Sequence, residues 1–386
     1  MRIYLDNAAT TKPFSRVVSA VADCMRDCYY NPAALYSPAM EAEREIKRAR
    51  TVIAESIGAS EKEILFTSGG TESNNLAVTG HMSGQRKEGV ILYSRLDHPS
   101  TQNACMEAAA LHGHIAREIP ILRSGELDLH ALENMLDSRV RLICVTQVCS
   151  ETGSIAPLSE IVHLRDHRAA DAAVHVDGVQ GYLRTPFSMT ECNVQSFAMS
   201  AHKIHGPKGV GALAVRKGHR IRPILVGGGQ QGNLRSGTEN SPGVVGFRTA
   251  VECYAQEVAA RPRMVSFRQT MLETLRQGLP DLVVMGQSQG AAGNAEHILC
   301  MAFPPVRGET LVHALEDKEV FIGTGSACSS RKGKRSALFT AMGISPEVID
   351  SSVRVSFSVM NTQEEVLTAA REIVEKVSRL RRYQRR

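Results

Sequence analysis

Tryptophan is absent from the 386 residues, and aromatic side chains make up only 5% of them. That removes the stacking platforms on which a single-strand nucleic-acid binder depends. No apolar stretch approaches the roughly 18 residues a membrane helix needs, so no span is expected. Neither sign of charge dominates. Lys and Arg number 45 against 40 Asp and Glu, a formal net charge of +5, and so modest a balance does not point to nucleic acid. The locally basic C-terminal stretch, SRLRRYQRR, reads as a solvated helix end. The first residues, MRIYLDNAATT, enter a strand-like run without the basic-then-apolar pattern of a secretory signal. The nine cysteines are scattered and odd in number. Together these features predict a cytoplasmic, reducing compartment with free thiols. Cys24 and Cys28 share a helical i, i+4 spacing, but no second pair completes a metal set, and a buried helix face is expected there.

What is present is a large apolar fraction, 43%, enough for two domains in a chain of this length. Apolar runs alternate with segments of helical period. A helix from about Ser37 to Ile57 stops at Gly58 and is followed by EILFT. A helix opens near Thr71, then come VILYS, a helix over Pro99–His112 and a short strand near Ala116–Ile119. A helix around Leu129–Leu136 precedes VRLICVTQV, and a Pro-started helix (Pro157–His167) precedes AVHVD, VQSFAM and VGALAVR. Such repetition, with continuously apolar β-branched strands, predicts an α/β fold whose mainly parallel sheet is covered on both faces. Past Gly243 come long helical patterns, the break GQSQGAAGN, the strand HILCMAF and a final amphipathic helix from Thr362 to about Arg381. This predicts a large domain over 13–254 and a smaller α/β domain formed by 255–386 together with 1–12.

The chemistry-bearing residues follow the strands. SAHKIHGPKG (200–209) sets Ser200, His202 and Lys203 directly after VQSFAM. A Lys in a Gly/Pro turn is by itself usually a solvated charge. Here the amine can form a Schiff base with an aldehyde phosphate, while the hydroxyl and imidazole donate to phosphate oxygens. Gly69, Gly70 and Thr71 open a helix whose backbone N–H groups suit the same phosphate. Asp177, ending AVHVD, can keep a pyridinium nitrogen protonated, and Gln180 suits the ring hydroxyl. His98 follows another strand and can stack on the ring or move protons. In an open α/β sheet such strand ends converge on one crevice, which predicts a pyridoxal 5'-phosphate (PLP) site. Cys328 lies in GTGSACSSRKGKRS beside Arg331, Lys332, Lys334 and Arg335, a setting that favours thiolate. Cys144 and Cys300, in apolar strands, read as inert core residues.

These segments resemble the cysteine desulfurases (NifS-like) of the class V aminotransferase group, fold type I of the PLP-dependent transferases. YLDNAATT (4–11), NPAALYSPA (31–39), TSGGTESNN (67–75), LDH (96–98), SETG (150–153), HVDGVQ (175–180), SAHKIHGPKGVGAL (200–213), GGGQ…LRSGTEN (227–240), GSACSS (325–330) and RVSFSVMNTQEE (354–365) match in order over nearly the whole chain. The resemblance implies a Schiff base on Lys203, with phosphate contacts from Gly70, Thr71, Ser200 and His202, and from Thr238 across a homodimer interface. It places Asp177 at the ring nitrogen, Gln180 at the ring oxygen and His98 over the ring. Arg354, assisted by Asn31, would clamp the substrate carboxylate. Cys328 would take sulfur from L-cysteine as a persulfide, releasing alanine, and pass it to an acceptor protein such as an iron–sulfur scaffold or thiolation enzyme. Three departures stand out. Cys149 and Ser150 replace paired asparagines, so Ser150 takes an amide's place near the cofactor. Gln231 and Gly232 replace an acidic–basic pair, and Tyr36 replaces a histidine. A selenocysteine lyase, an aminotransferase or a low-activity cofactor-binding partner protein would share the fold.

Overall fold

Strands that are apolar on both faces form the centre of a layered structure because only a sheet covered on both sides buries them. The computed structural model describes residues 2–257, 260–286, 293–325 and 335–384. After a short first strand, β1 (Ile3–Tyr4), seven strands make one sheet. Their spatial order is β2 (Ile64–Thr67), β8 (Gly211–Val215), β7 (Ser196–Ser200), β6 (Ala173–Asp177), β5 (Val140–Thr146), β3 (Val90–Ser94) and β4 (Ile115–Ile119). Pairing is parallel from β7 to β4. It is antiparallel where β8 runs between β2 and β7. The sheet is therefore mixed but mostly parallel.

Period-two alternation sorts its side chains. Ile143, Val145, Val174, Val176, Phe197 and Met199 enter one core. That core is closed by α1 (Ser15–Asp27), α2 (Ser37–Glu55), α6 (Leu158–Arg168) and α7 (Ser241–Ala255), with α5 (Leu129–Met135) at its margin. On the opposite face Leu142, Cys144, Ala173 and Ala198 meet α3 (Gly70–Met82) and α4 (Pro99–His112). The same alternation carries His175, Asp177, Ser196 and Ser200 to the α3 side. Most expected elements lie where the periodicity puts them, and α4 has the expected bounds. One detail differs. α1 ends at Asp27, so Cys24 is buried on its face while Cys28 lies beyond the helix end.

A second core sits C-terminal to α7. β12 (Gly323–Thr324), β13 (Ser352–Ser356), β10 (Ile298–Ala302) and β9 (Val283–Met285) form an antiparallel sheet. Its helices are α8 (Ala260–Gly278), α9 (Gly308–Glu316) and α12 (Gln363–Gln384), whereas α10 (Ala337–Ala341) and α11 (Pro346–Asp350) turn Leu338, Phe339 and Ile349 into the first core. β1 pairs in parallel with β11 (Val320–Phe321), and Ile3 and Leu5 share the core of Val353 and Val355. From there residues 6–11 cross to the large sheet, where Thr11 donates from its backbone and hydroxyl to the His202 carbonyl. Alternation along β13 sends Val353 and Val355 inward and leaves Arg354 on the opposite face. Among the described residues, no helix is long and apolar enough to cross a membrane.

Gly178, just past β6, has no room for a side chain: a Cβ there would meet Phe197 Cζ at 1.9 Å. Phe197 itself stacks on Phe187 with ring centroids 3.9 Å apart. Gly178→Ala is expected to cost about 1–3 kcal/mol through overpacking, read as a lowered urea midpoint. An unchanged midpoint would contradict the close packing behind the strand end.

Candidate active site

Six strands end at one edge of the large sheet, and the residues following five of them, β2, β3, β5, β6 and β7, meet there. Asp177 is the centre. The residue is 3% exposed, and its carboxylate accepts from Asn74 Nδ2 at 2.8 Å, from the Val179 N–H at 3.0 Å and from Thr101 Oγ1 at 3.4 Å. All three donors are neutral, so its charge remains uncancelled by any of them. Asn74 turns its Oδ1 to His175 Nε2 at 3.0 Å, and His175 Nδ1 meets Ser196 Oγ at 2.8 Å. Burial lowers the pKa of that imidazole to about 4, and the ring is neutral. Ser196, His175, Asn74 and Asp177 thus form a chain that fixes the carboxylate's orientation. Asp97, fully buried nearby, is driven well above its ordinary pKa by desolvation and by the Asp177 charge.

The N-terminus of α3 opens on the same edge. Gly69 has φ +152°, a conformation side-chain-bearing residues rarely adopt, and a Cβ there would lie 3.7 Å from Ser200 Oγ. A Cβ on Gly70 would strike Val179 Cγ2 at 2.4 Å, so glycine is what lets this turn sit against the segment after β6. Thr71 is exposed in the first turn of α3. Glu72 accepts from the Ser68 N–H at 2.8 Å and pairs with Arg235 at 2.7 Å, holding the turn from behind.

Lys203 follows β7 and donates from Nζ to the carbonyls of Ala8 and Ala9. Gln180 donates to the same Ala8 carbonyl at 2.8 Å. Desolvation, then the positive charges of Arg354 and Arg184, bring the Lys203 pKa down to about 7, against an upward pull from Asp6 and Asp177. A neutral amine at physiological pH is a nucleophile; a charged one is not. His98, exposed at the mouth, receives the Ser100 N–H on Nδ1 at 3.1 Å. Its pKa is lowered by desolvation while Asp177 raises it and Lys203 lowers it further, so all three groups act within one field. His202 Nδ1 contacts Thr10 Oγ1 at 3.1 Å, and burial takes its pKa down to about 3.

Arg354 closes the side opposite the sheet. It is 4% exposed, gives Nη1 to the Ser150 carbonyl at 2.9 Å and Nη2 to Asp6 at 2.8 Å, and leaves Nε without a partner. Ser150 thus meets Arg354 through its backbone. Gly70, Ser150, Asp177, Gln180, Ser200, Lys203, His98 and Arg354 are gathered in this way. Asn31 and Thr238 are exposed, and among the described residues no hydrogen bond joins either to Lys203, Asp177 or Arg354. Their neighbours Pro32, Ala33, Gln230 and Glu239 line a separate groove. Cys328 lies outside the described residues. Asp6, Asn74, Thr101 and Arg184 were not singled out from the sequence. Asp6 and Asn74 sit inside YLDNAATT and TSGGTESNN, but nothing in either motif distinguishes a residue that touches a reactant from one that orients another side chain.

Residues 3–368 match the family model Aminotransferase class-V. A cysteine desulfurase from Trichormus azollae is 33% identical over 380 residues, 98% of this chain and 94% of that protein. The cysteine desulfurase IscS of Anaeromyxobacter sp. (strain Fw109-5) is 37% identical over 385 residues, 98% and 93% of the two. Among solved structures, a NifS-like protein aligns with a TM-score of 0.90 at 30% identity over 98% of this chain and 100% of that one. SspA in complex with cysteine aligns with a TM-score of 0.80 at 27% identity over 93% and 100%.

In the protein without added ligands, competitive acetylation followed by mass spectrometry should find Lys203 half-maximally reactive near pH 7. Surface lysines should need a pH nearer their ordinary pKa of about 10.4. A folded pKa below the unfolded one means that the unfolded chain binds more protons between the two values. This group's contribution to stability therefore rises as pH climbs from about 7 toward 10.5. A Lys203 midpoint equal to that of exposed lysines would contradict the burial and the cationic neighbours described above.

Proposed function

The chain belongs to the class-V aminotransferase family, and from that premise we propose that it is a PLP-dependent cysteine desulfurase that converts L-cysteine to L-alanine and retains the sulfur on Cys328. The observation that carries this is the pairing of an amine with a pKa near 7, Lys203, with a carboxylate held only by neutral donors, Asp177. Cysteine desulfurases as relatives over the full length narrow the reaction. The large-domain boundaries 13–254, with 1–12 and 255–386 as the smaller unit, are part of the same proposal.

The residues fit the cofactor. The glycine turn and N-terminus of α3, with Ser200 beside Gly69, suit a phosphate dianion, and Thr71 and His202 supply further polar atoms. Asp177 suits a ring N–H, and Gln180 the ring oxygen. When bound, PLP supplies an electron-withdrawing ring that spreads negative charge away from the carbons of an attached amino acid. Lys203 would hold it through its amine and, together with His98, would move protons. Ser150 contributes from the loop after β5. Arg354 is already aimed by Asp6 and the Ser150 carbonyl and takes the substrate carboxylate, with Asn31 assisting. Cys328 thiolate attacks the substrate sulfur. The S–S bond forms as the carbon–sulfur bond breaks, the electron pair passes to carbon, and protonation there yields alanine. The terminal sulfur then leaves to a thiol of an acceptor protein.

We assign a homodimer to the working enzyme. Pro32 and Ala33, close in sequence to the exposed Leu35, and Gln230, close to the exposed Val226, line one groove with Leu234. A second subunit over this face would bring Thr238 and Asn31 to a site that they do not complete within their own chain.

Lys203→Ala should abolish the visible absorbance of bound cofactor. Cys328→Ser should keep that absorbance and lose alanine formation from L-cysteine by about a hundredfold or more, with no persulfide detectable by mass spectrometry. Undiminished alanine release from Cys328→Ser would overturn the assigned nucleophile. Arg354→Lys should raise the KM for L-cysteine roughly tenfold or more, since a hydrogen bond to a charged group contributes about 1.5–3 kcal/mol.

A further inference from the structure

Behind the active site lies a cavity of about 410 Å³ that none of the roles above employs. It sits where the two cores meet, with Ile57, Phe187 and Phe357 among its apolar walls. Its size falls within the range of small-molecule sites, about 300–1,000 Å³. Two polar groups in its lining remain open to a ligand, a part-buried guanidinium and a buried imidazole. Arg184 gives Nη1 to Gln180 Oε1 at 3.2 Å and bonds to Tyr254. Among the described residues, no carboxylate lies within ion-pair distance of it, although burial opposes its charge. The cavity's own carboxylates are engaged elsewhere, Glu257 with Arg263 and Glu296 with Arg268. His297 is 4% exposed, is hydrogen-bonded to the backbone of Gln180, and has no partner for Nε2.

A part-buried guanidinium without a counter-charge favours an anion, and a buried ring nitrogen without a hydrogen bond is costly. Burial and Arg184 keep the His297 imidazole neutral. With one ring nitrogen donating to a carbonyl, the other is an acceptor. The lining thus offers a donor fork, an acceptor and an apolar wall.

We propose that this cavity is a second ligand site, separate from the catalytic one, for a small carboxylate that also carries a hydroxyl or amino donor and an apolar body. The carboxylate sits on Arg184, the donor on His297 Nε2 and the body against Ile57, Phe187 and Phe357. Arg184 also touches Gln180, which shares the Ala8 carbonyl with Lys203. A bound anion would offset the positive field on the Lys203 amine and shift its acetylation midpoint upward. The site does not rest on the desulfurase assignment, because its binding is read without turnover.

The test is fluorine NMR on the full-length protein with 3-fluoro-4-hydroxyphenylacetate, which has no amine to react with the cofactor. Saturable line broadening is expected, undiminished when PLP is bound. Arg184→Met should weaken it by at least roughly tenfold, the cost of a charged hydrogen bond, and Arg184→Lys should restore part of it. Should Arg184→Met not fold, His297→Phe gives the equivalent reading. The analogue 3-fluorophenylacetate, lacking the hydroxyl, should bind more weakly. Absence of saturable broadening, displacement of the probe by PLP, or equal titrations of wild type and the substituted proteins would each overturn the proposal.

Discussion

A carboxylate buried among neutral donors is the constraint around which this molecule is arranged. Asp177 accepts from an amide, a hydroxyl and a backbone N–H, which satisfy its lone pairs without cancelling its charge. The negative field therefore extends into the cleft, where it raises the pKa of both His98 and Lys203 against other influences. A salt bridge at this position would have spent that field locally. The neutral chain through Asn74 and His175 avoids this, and it explains why an imidazole lies fully buried beneath this edge of the sheet.

The opposing field on Lys203 comes from Arg354 and Arg184. Arg354 is held by Asp6 from the chain's first residues and by the Ser150 carbonyl from the loop after β5. Three distant segments thus define one guanidinium. Because β1 is anchored in the second core and Thr11 on the large sheet, residues 6–11 also stretch the Ala8 and Ala9 carbonyls over the Lys203 amine. Any shift of one core against the other changes what these carbonyls and Arg354 can reach.

The sequence was most informative where chemistry and backbone constraint coincide. Gly69, Gly70, Asp177, Ser200 and Lys203 were legible because each follows an apolar run and each residue type has few other reasons to be there. The departure at Ser150 was legible too, but not its outcome: its carbonyl, an atom every residue possesses, is what meets Arg354. Asn74 escaped notice because an amide on a helix face carries no local sign of what it touches. Arg184 escaped for the same reason, as its isolation from carboxylates is a property of everything packed around it. β8 looked like its parallel neighbours because an apolar strand reads the same in either direction.

The primary structure by itself determined the order of strands and helices, the face of each strand that is apolar and the glycine turn that opens α3. These follow from local periodicity and from backbone conformations only certain residues adopt. Folding alone decided the electrostatics. The Lys203 pKa near 7, the orientation of Asp177 and the unpaired charge of Arg184 all depend on distances between residues far apart in the chain. Solvent exclusion makes those distances count, and no local pattern of residues encodes it.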